Sequence, residues 1–117
     1  QVINICPTRE ITASSGQIIS PNYPNNYPSN TNCTLTIKRP LDTTFRFAFS
    51  HVDFQSSKDE SICYDYLIFI SGGSSQRFCG TTSPAPFARG LNVVTLKMVT
   101  DGIVERSGFD LNFTTVQ

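Results

Sequence analysis

Four cysteines carry the most chemistry in this chain. Cys6 and Cys33 lie in the first third, Cys63 and Cys79 in the second half. An even count in a short chain, without Cys-x-x-Cys spacing, reads as disulfides rather than metal ligation. Disulfides persist in oxidising compartments, so the expected setting is secreted or extracellular. Four cysteines allow three connectivities, and spacing alone leaves all three open; pairing in chain order is the working choice. The only histidine is His51. A Ser–His–Asp site needs a nucleophile on a strained turn and an oxyanion hole. No Gly-x-Ser-x-Gly occurs, so His51 reads as a loop or strand-edge residue and no enzyme activity is expected. Two sequons, Asn32-Cys33-Thr34 and Asn112-Phe113-Thr114, are candidate N-glycosylation sites. Tyr23 and Tyr27 are weak candidates for ligand contact, because exposed aromatics serve interfaces; a structural role is the favoured reading. Arg77, Arg89 and Arg106 are scattered and read as solvated surface.

The elements that must position these groups are short strands. Apolar residues alternate with polar ones at Leu35 and Ile37, at Phe45, Phe47 and Phe49, at Val94, Leu96 and Met98, and at Phe109, Leu111 and Phe113. A period of two puts one face on a core and the other in water. Parity then turns Asn32 and Asn112 outward if their neighbours face in. Tyr66 to Ile70 is apolar on both faces and predicts a central strand. No segment keeps a helical period over ten residues. Ser20 to Pro28 contains three prolines, each lacking a backbone donor, and predicts a shaped loop. Ser71-Gly72-Gly73-Ser74-Ser75 predicts a tight strand connection, and Ser83-Pro84-Ala85-Pro86 another break. The expected architecture is all-β, a sandwich of short strands.

Size and charge bound the function. The 117 residues suffice for one domain, expected to fill residues 1–117. Nine basic residues balance nine acidic ones, which argues against a nucleic-acid binder and against electrostatic membrane anchoring. The longest strongly apolar run is far too short to span a bilayer, so no membrane insertion is expected.

Taken together, these pieces resemble the CUB domain family over nearly the whole chain. The pieces, in order, are Cys6; Gly16-Gln17-Ile18 leading into Ser20-Pro21-Asn22-Tyr23-Pro24; Tyr27-Pro28; Cys33; Cys63 with Tyr64-Asp65-Tyr66-Leu67; Phe78-Cys79-Gly80; Thr100-Asp101-Gly102; and Gly108-Phe109. The resemblance implies a two-sheet antiparallel sandwich of jelly-roll type and the pairing Cys6–Cys33 and Cys63–Cys79. It implies non-catalytic binding of an extracellular protein or glycan. A stand-alone secreted protein similar to the seminal plasma members (spermadhesin-like) is the first expectation, favoured by single-domain extent and the Gln1 start. A module within a protease or receptor is the second.

Some members of the family bind Ca²⁺ through a Glu and two Asp residues and engage a basic partner side chain there. The resemblance matches Asp65 and Asp101 to the two Asp positions and puts Gln55 at the Glu position. Gln offers a carbonyl oxygen without a charge, and Ca²⁺ affinity follows ligand charge. No cofactor is therefore expected, with Ca²⁺ weakened by Gln55. Asp59 and Glu60, in the same loop, are expected as substitutes if one is needed. Cys63 and Tyr64 are adjacent where the family has a residue between, so the loop at Asp65 is expected to differ.

Overall fold

A computed structural model describes residues 1–117. Ten strands follow one another: β1 Val2–Asn4, β2 Arg9–Ile11, β3 Ser15–Ile19, β4 Asn32–Lys38, β5 Thr44–Asp53, β6 Tyr66–Ser71, β7 Ser74–Phe78, β8 Phe87–Leu91, β9 Val93–Val99 and β10 Gly108–Val116. One sheet has the order β1-β3-β10-β5-β8 and the other β2-β4-β9-β6-β7. The alternating residues do as their period dictates. Leu35, Ile37, Val94, Leu96, Met98, Phe109, Leu111 and Phe113 are buried between the sheets. Each such burial stabilises the fold by roughly 1.5–3 kcal/mol. Aromatic rings bind the two layers, with Phe47 of β5 edge-on to Phe69 of β6 at 4.8 Å between centroids.

The sheets are mixed rather than purely antiparallel. β1 runs parallel to β3, and β2 parallel to β4. Parallel neighbours need a long crossover. Here each crossover passes through the opposite sheet. After β1 the chain crosses to place β2 beside β4, then returns to place β3 beside β1. β6 is an interior strand, hydrogen-bonded to β9 and to β7. Its inward residues Leu67 and Phe69 are fully buried, while Ile70 on the outer face is partly in water.

A bulge in β5 has the largest consequence for placement. Leu111 pairs with Phe49 but Asp110 with His51, leaving Ser50 as an extra residue. A one-residue insertion moves every later side chain to the other face. Inward positions are Phe45 and Phe47 before it, and Val52 and Phe54 after it. His51 and Asp53 are thereby turned away from the core.

The proline loop between β3 and β4 is pinned at both ends. Ser20 N–H donates to the Phe109 carbonyl (3.2 Å), and Tyr27 N–H to that of Arg106 (2.8 Å). The Ser20 hydroxyl accepts from Phe109 N–H at 3.1 Å and donates to the Ser107 carbonyl at 3.3 Å. This seat requires Gly108. Its φ is +81°, and a Cβ there would lie 2.0 Å from Ser20 Oγ. The disulfides join Cys6 to Cys33 and Cys63 to Cys79. The first ties the β1–β2 connection to β4; the second ties the loop before β6 to the residue after β7.

Candidate functional site

The loops following β3, β5 and β9 meet at one end of the sandwich, and Asp65 sits at their junction. It immediately precedes β6 and is fully buried. Its Oδ1 accepts the Asp101 N–H at 2.7 Å, and its Oδ2 accepts the Tyr27 hydroxyl at 2.5 Å. Asp65 N–H donates to the Gln55 carbonyl at 3.1 Å. Gln55 N–H donates to the Tyr27 oxygen at 3.3 Å. One carboxylate thus gathers three loops that lie far apart in sequence. Burial pushes the Asp65 carboxyl above the usual range, the Tyr27 and Asp101 donors pull it back, and the Asp101 charge adds to the rise. Burial, and then the bond to Asp65, push the Tyr27 hydroxyl far up, so it holds its proton and remains a donor.

The main chains of Gln55 and Asp101 are therefore both tied to Asp65. The Asp101 carboxylate accepts Ile103 N–H at 3.1 Å. Gln55 Oε1 is buried and meets no donor. A buried acceptor left unpaired is uncommon and costs free energy, so this oxygen is an open position for a donor or a cation. Asp59 and Glu60 do not join the group. Asp59 accepts from Ser61 Oγ (2.7 Å), Ser61 N (3.1 Å) and Ser57 Oγ (2.9 Å), which hold its carboxyl down at about 2. Glu60 faces Gly80, and its carboxylate accepts from Thr81 and Thr82. Asp59 is satisfied within its own turn and Glu60 by the residues after Gly80, so in this structure neither carboxylate lies with Asp65 and Asp101.

Tyr27 is also not a ligand contact. At 1% exposure it is a core residue, its ring stacked on Phe54. Tyr23 is half-buried and lies against the His51 ring, 5.6 Å between centroids. His51 Nε2 is 2.7 Å from the Ser107 hydroxyl, which donates to Asp53 at 2.9 Å. Arg106 extends the row with an ion pair to Asp53 at 3.8 Å. The row runs His–Ser–Asp. Nucleophile activation needs histidine in the middle, with a free nitrogen facing the hydroxyl. Here the Ser107 hydroxyl donates to Asp53, so the row lacks the serine-to-histidine proton path that activation requires. The residue types alone did not reveal this row. The parity break from Phe49 to Val52 is the signal that could have put His51 and Asp53 on one face.

Both sequon asparagines are exposed, as strand parity required. Asn32 lies in β4 and Asn112 in β10, on the outer faces of different sheets. Arg77 caps the Tyr66 ring at 4.1 Å, and Arg89 donates to Ser74 at 3.0 Å.

Comparison with known proteins follows the same lines. A family model described as the CUB domain matches residues 6–113. Bone morphogenetic protein 1 of Xenopus laevis is 34% identical over 109 residues, covering 89% of this chain. A solved MASP-1 CUB2 domain bound to Ca²⁺ superposes with a TM-score of 0.86 at 28% identity, covering 93% of this chain and 99% of that one. The full extracellular region of zebrafish Gpr126/Adgrg6 superposes with a TM-score of 0.82 at 27% identity, over 93% of this chain. The chain spans 15% of the Xenopus protein and 14% of the zebrafish region.

Proposed function

This chain belongs to the CUB domain family, and from that premise we propose that it engages an extracellular protein partner through the loop end that holds Asp65 and Asp101. The CUB domain is a non-catalytic binding module of multidomain extracellular proteins. One observation carries the proposal. Exposed apolar side chains flank the buried polar centre along the chain: Ile62 (55% exposed) and Tyr64 (46%) before Asp65, and Ile103 (79%) after Asp101. Apolar and aromatic anchors around a desolvated centre are the anatomy of protein interfaces. The partly exposed Asp101 carboxylate favours a basic group on the partner. Two disulfides and the likeness to an extracellular region support the setting. We place the module in a longer chain, as in its relatives. A transcript continuing in frame beyond Gln117 is expected. A stop codon there, with a signal peptide before Gln1, would instead identify the stand-alone protein.

The residues fit a calcium ion in kind and fall short in charge. Asp65, Asp101 and Gln55 offer hard oxygens, and Gln55 Oε1 is the orphaned acceptor a cation would satisfy. Only two of the three bring a negative charge. Bound Ca²⁺ would supply positive charge that neutralises Asp65 and Asp101 and joins their loops. Gln55, Asp65 and Asp101 would hold it, weakly. Millimolar calcium is expected to leave the wild-type melting temperature nearly unchanged relative to chelator, and Gln55→Glu to create a calcium-dependent rise that Asp101→Ala removes. A large rise in wild type would defeat the charge argument.

The partner reading is tested with the immobilised domain in extracellular fluid. A protein captured by wild type and lost with Ile103→Asp, at an unchanged melt, supports it. Equal capture by both overturns it. Signal on a glycan array without any captured protein moves the ligand to carbohydrate, the other class the family implies.

A further inference from the structure

On the outer face of the β1-β3-β10-β5-β8 sheet, the second sequon opens onto a hollow of its own. A shallow cavity of about 130 Å³ is lined by Arg46, Phe47, Ala48, Pro86, Phe87, Asn112 and Thr114. Both the acceptor and the hydroxyl residue of Asn112-Phe113-Thr114 are therefore in its wall. The register explains the hollow. Asn112 pairs with Ala48, and Thr114 with Arg46, whose other neighbour is Ala88. The small side chain of Ala48 leaves the space and Pro86 closes it, while the Phe47 and Phe87 rings turn inward to the core beneath it. Pockets for free ligands measure roughly 300–1,000 Å³. This one is too small to hold such a ligand by itself. It suits a group already tethered to its rim, whose loss of freedom has been met by the covalent bond.

We propose that Asn112 is the seated N-glycosylation site of this protein, its first N-acetylglucosamine packing into the hollow between β5 and β8. The proposal rests on the extracellular setting above, since the sugar is added in the secretory pathway. Asn112 Nδ2 displaces the lipid diphosphate from C1 of the reducing-end sugar of a lipid-linked oligosaccharide. The Nδ2–C1 bond forms, and the C1–O bond breaks. Its electron pair leaves with the diphosphate, and one Nδ2 proton passes to a base of the transferring enzyme. One N–H remains on Asn112, which in the unmodified side chain donates to Ser50 Oγ at 3.1 Å. The apolar face of the sugar meets Pro86 and Ala48, and its hydroxyl and acetamide groups meet Arg46 and Thr114 at the rim. Seated there, the glycan also flanks β8, the unpaired edge of this sheet, and blocks edge-to-edge pairing with another chain. Asn32 has no such seat. It lines none of the cavities, and the middle residue of its sequon is held in the Cys6–Cys33 bridge.

The test uses the whole chain secreted from an N-glycosylating host. Peptide mass mapping is expected to find Asn112 modified. The folded glycoprotein is then trimmed by an endoglycosidase that leaves one N-acetylglucosamine, or stripped by an amidase that leaves Asp. Trimming is expected to leave the melting temperature unchanged. Stripping is expected to lower it by roughly 3–6 °C, to the value of unglycosylated Asn112→Asp. Nuclear Overhauser contacts between the single sugar and the Pro86 ring are expected, and Ala48→Gln, which fills the hollow, is expected to abolish both the contacts and the difference. Because trimming acts on folded protein, a poorly secreted variant does not spoil the comparison. An unmodified Asn112, or a sugar without ring contacts whose removal leaves the melt unchanged, overturns the seat. Neither outcome touches the partner reading, which stands on Ile103.

Discussion

Tyr27 shows how one atom can hold a binding end together. Its hydroxyl donates to Asp65 and accepts from Gln55 N–H, so the proline loop and both ends of the β5–β6 loop share it. Tyr27→Phe keeps the buried ring and removes that oxygen, leaving a buried carboxylate oxygen without its donor. We expect a loss of about 1–3 kcal/mol, read as a lower urea midpoint at an unchanged slope. An unchanged midpoint would mean that water replaces the hydroxyl. Asp59 lies at the surface and carries a different prediction. The Ser61 and Ser57 donors hold its carboxyl in the folded state at about 2, below the ordinary aspartate value. The loop stability it contributes is therefore present above the unfolded value and lost as pH falls through about 2. Carboxyl-carbon NMR is expected to give a midpoint near 2, and Ser61→Ala to raise it by removing the first of the three donors. A midpoint near 4 in wild type would show that the serine contacts do not persist in solution.

Among the elements, β5 and β10 set the positions. The bulge at Ser50 sends Phe45 and Phe47 inward on one side of it and Val52 and Phe54 inward on the other, which leaves His51 and Asp53 facing Ser107. The spacing of those apolar residues held this shift, since Phe49 and Val52 differ in parity. Two strands joined at a bulge and one longer strand with a misplaced valine produce the same string of letters, and only the pairing with β10 separates them. At the start of β10, Gly108 joins the strand to the proline loop. Gly108→Ala would set a Cβ 2.0 Å from Ser20 Oγ on a backbone at φ +81°. The left-handed conformation costs roughly 1–2 kcal/mol for a side chain, and each Ser20 hydrogen bond lost about 1 kcal/mol more. A total near 2–4 kcal/mol is expected by chemical denaturation. Ser20→Gly combined with Gly108→Ala should recover the steric part and not the backbone part.

At the scale of the whole molecule, two bridges and one shared core make the loop end rigid. The bridges close segments of 27 and 16 residues. Chain entropy assigns them about 3.5 and about 3 kcal/mol. Cys63→Ser with Cys79→Ser is expected to cost about 3 kcal/mol and also to free the loop that carries Gln55 and Asp65, so partner capture falls. Removing the Cys6–Cys33 pair should cost slightly more and leave capture intact. Equal loss of capture in both would place the effect in global unfolding. The amino-acid sequence by itself determined the alternating core strands β4, β5, β9 and β10, the interior strand β6, and the family. Period-two burial, turn residues and cysteine count are local signals, and the ordered motifs around Asp65 and Asp101 are specific. Tertiary structure decided what depends on chain crossings and shared atoms. The parallel edges of both sheets arise because β2 crosses to the opposite layer between β1 and β3. Tyr27 is a core donor rather than a surface aromatic, and Glu60 is taken up by Thr81 and Thr82, because their partners come from loops whose meeting no local pattern encodes; Asp59 is held by Ser57 and Ser61 of its own turn.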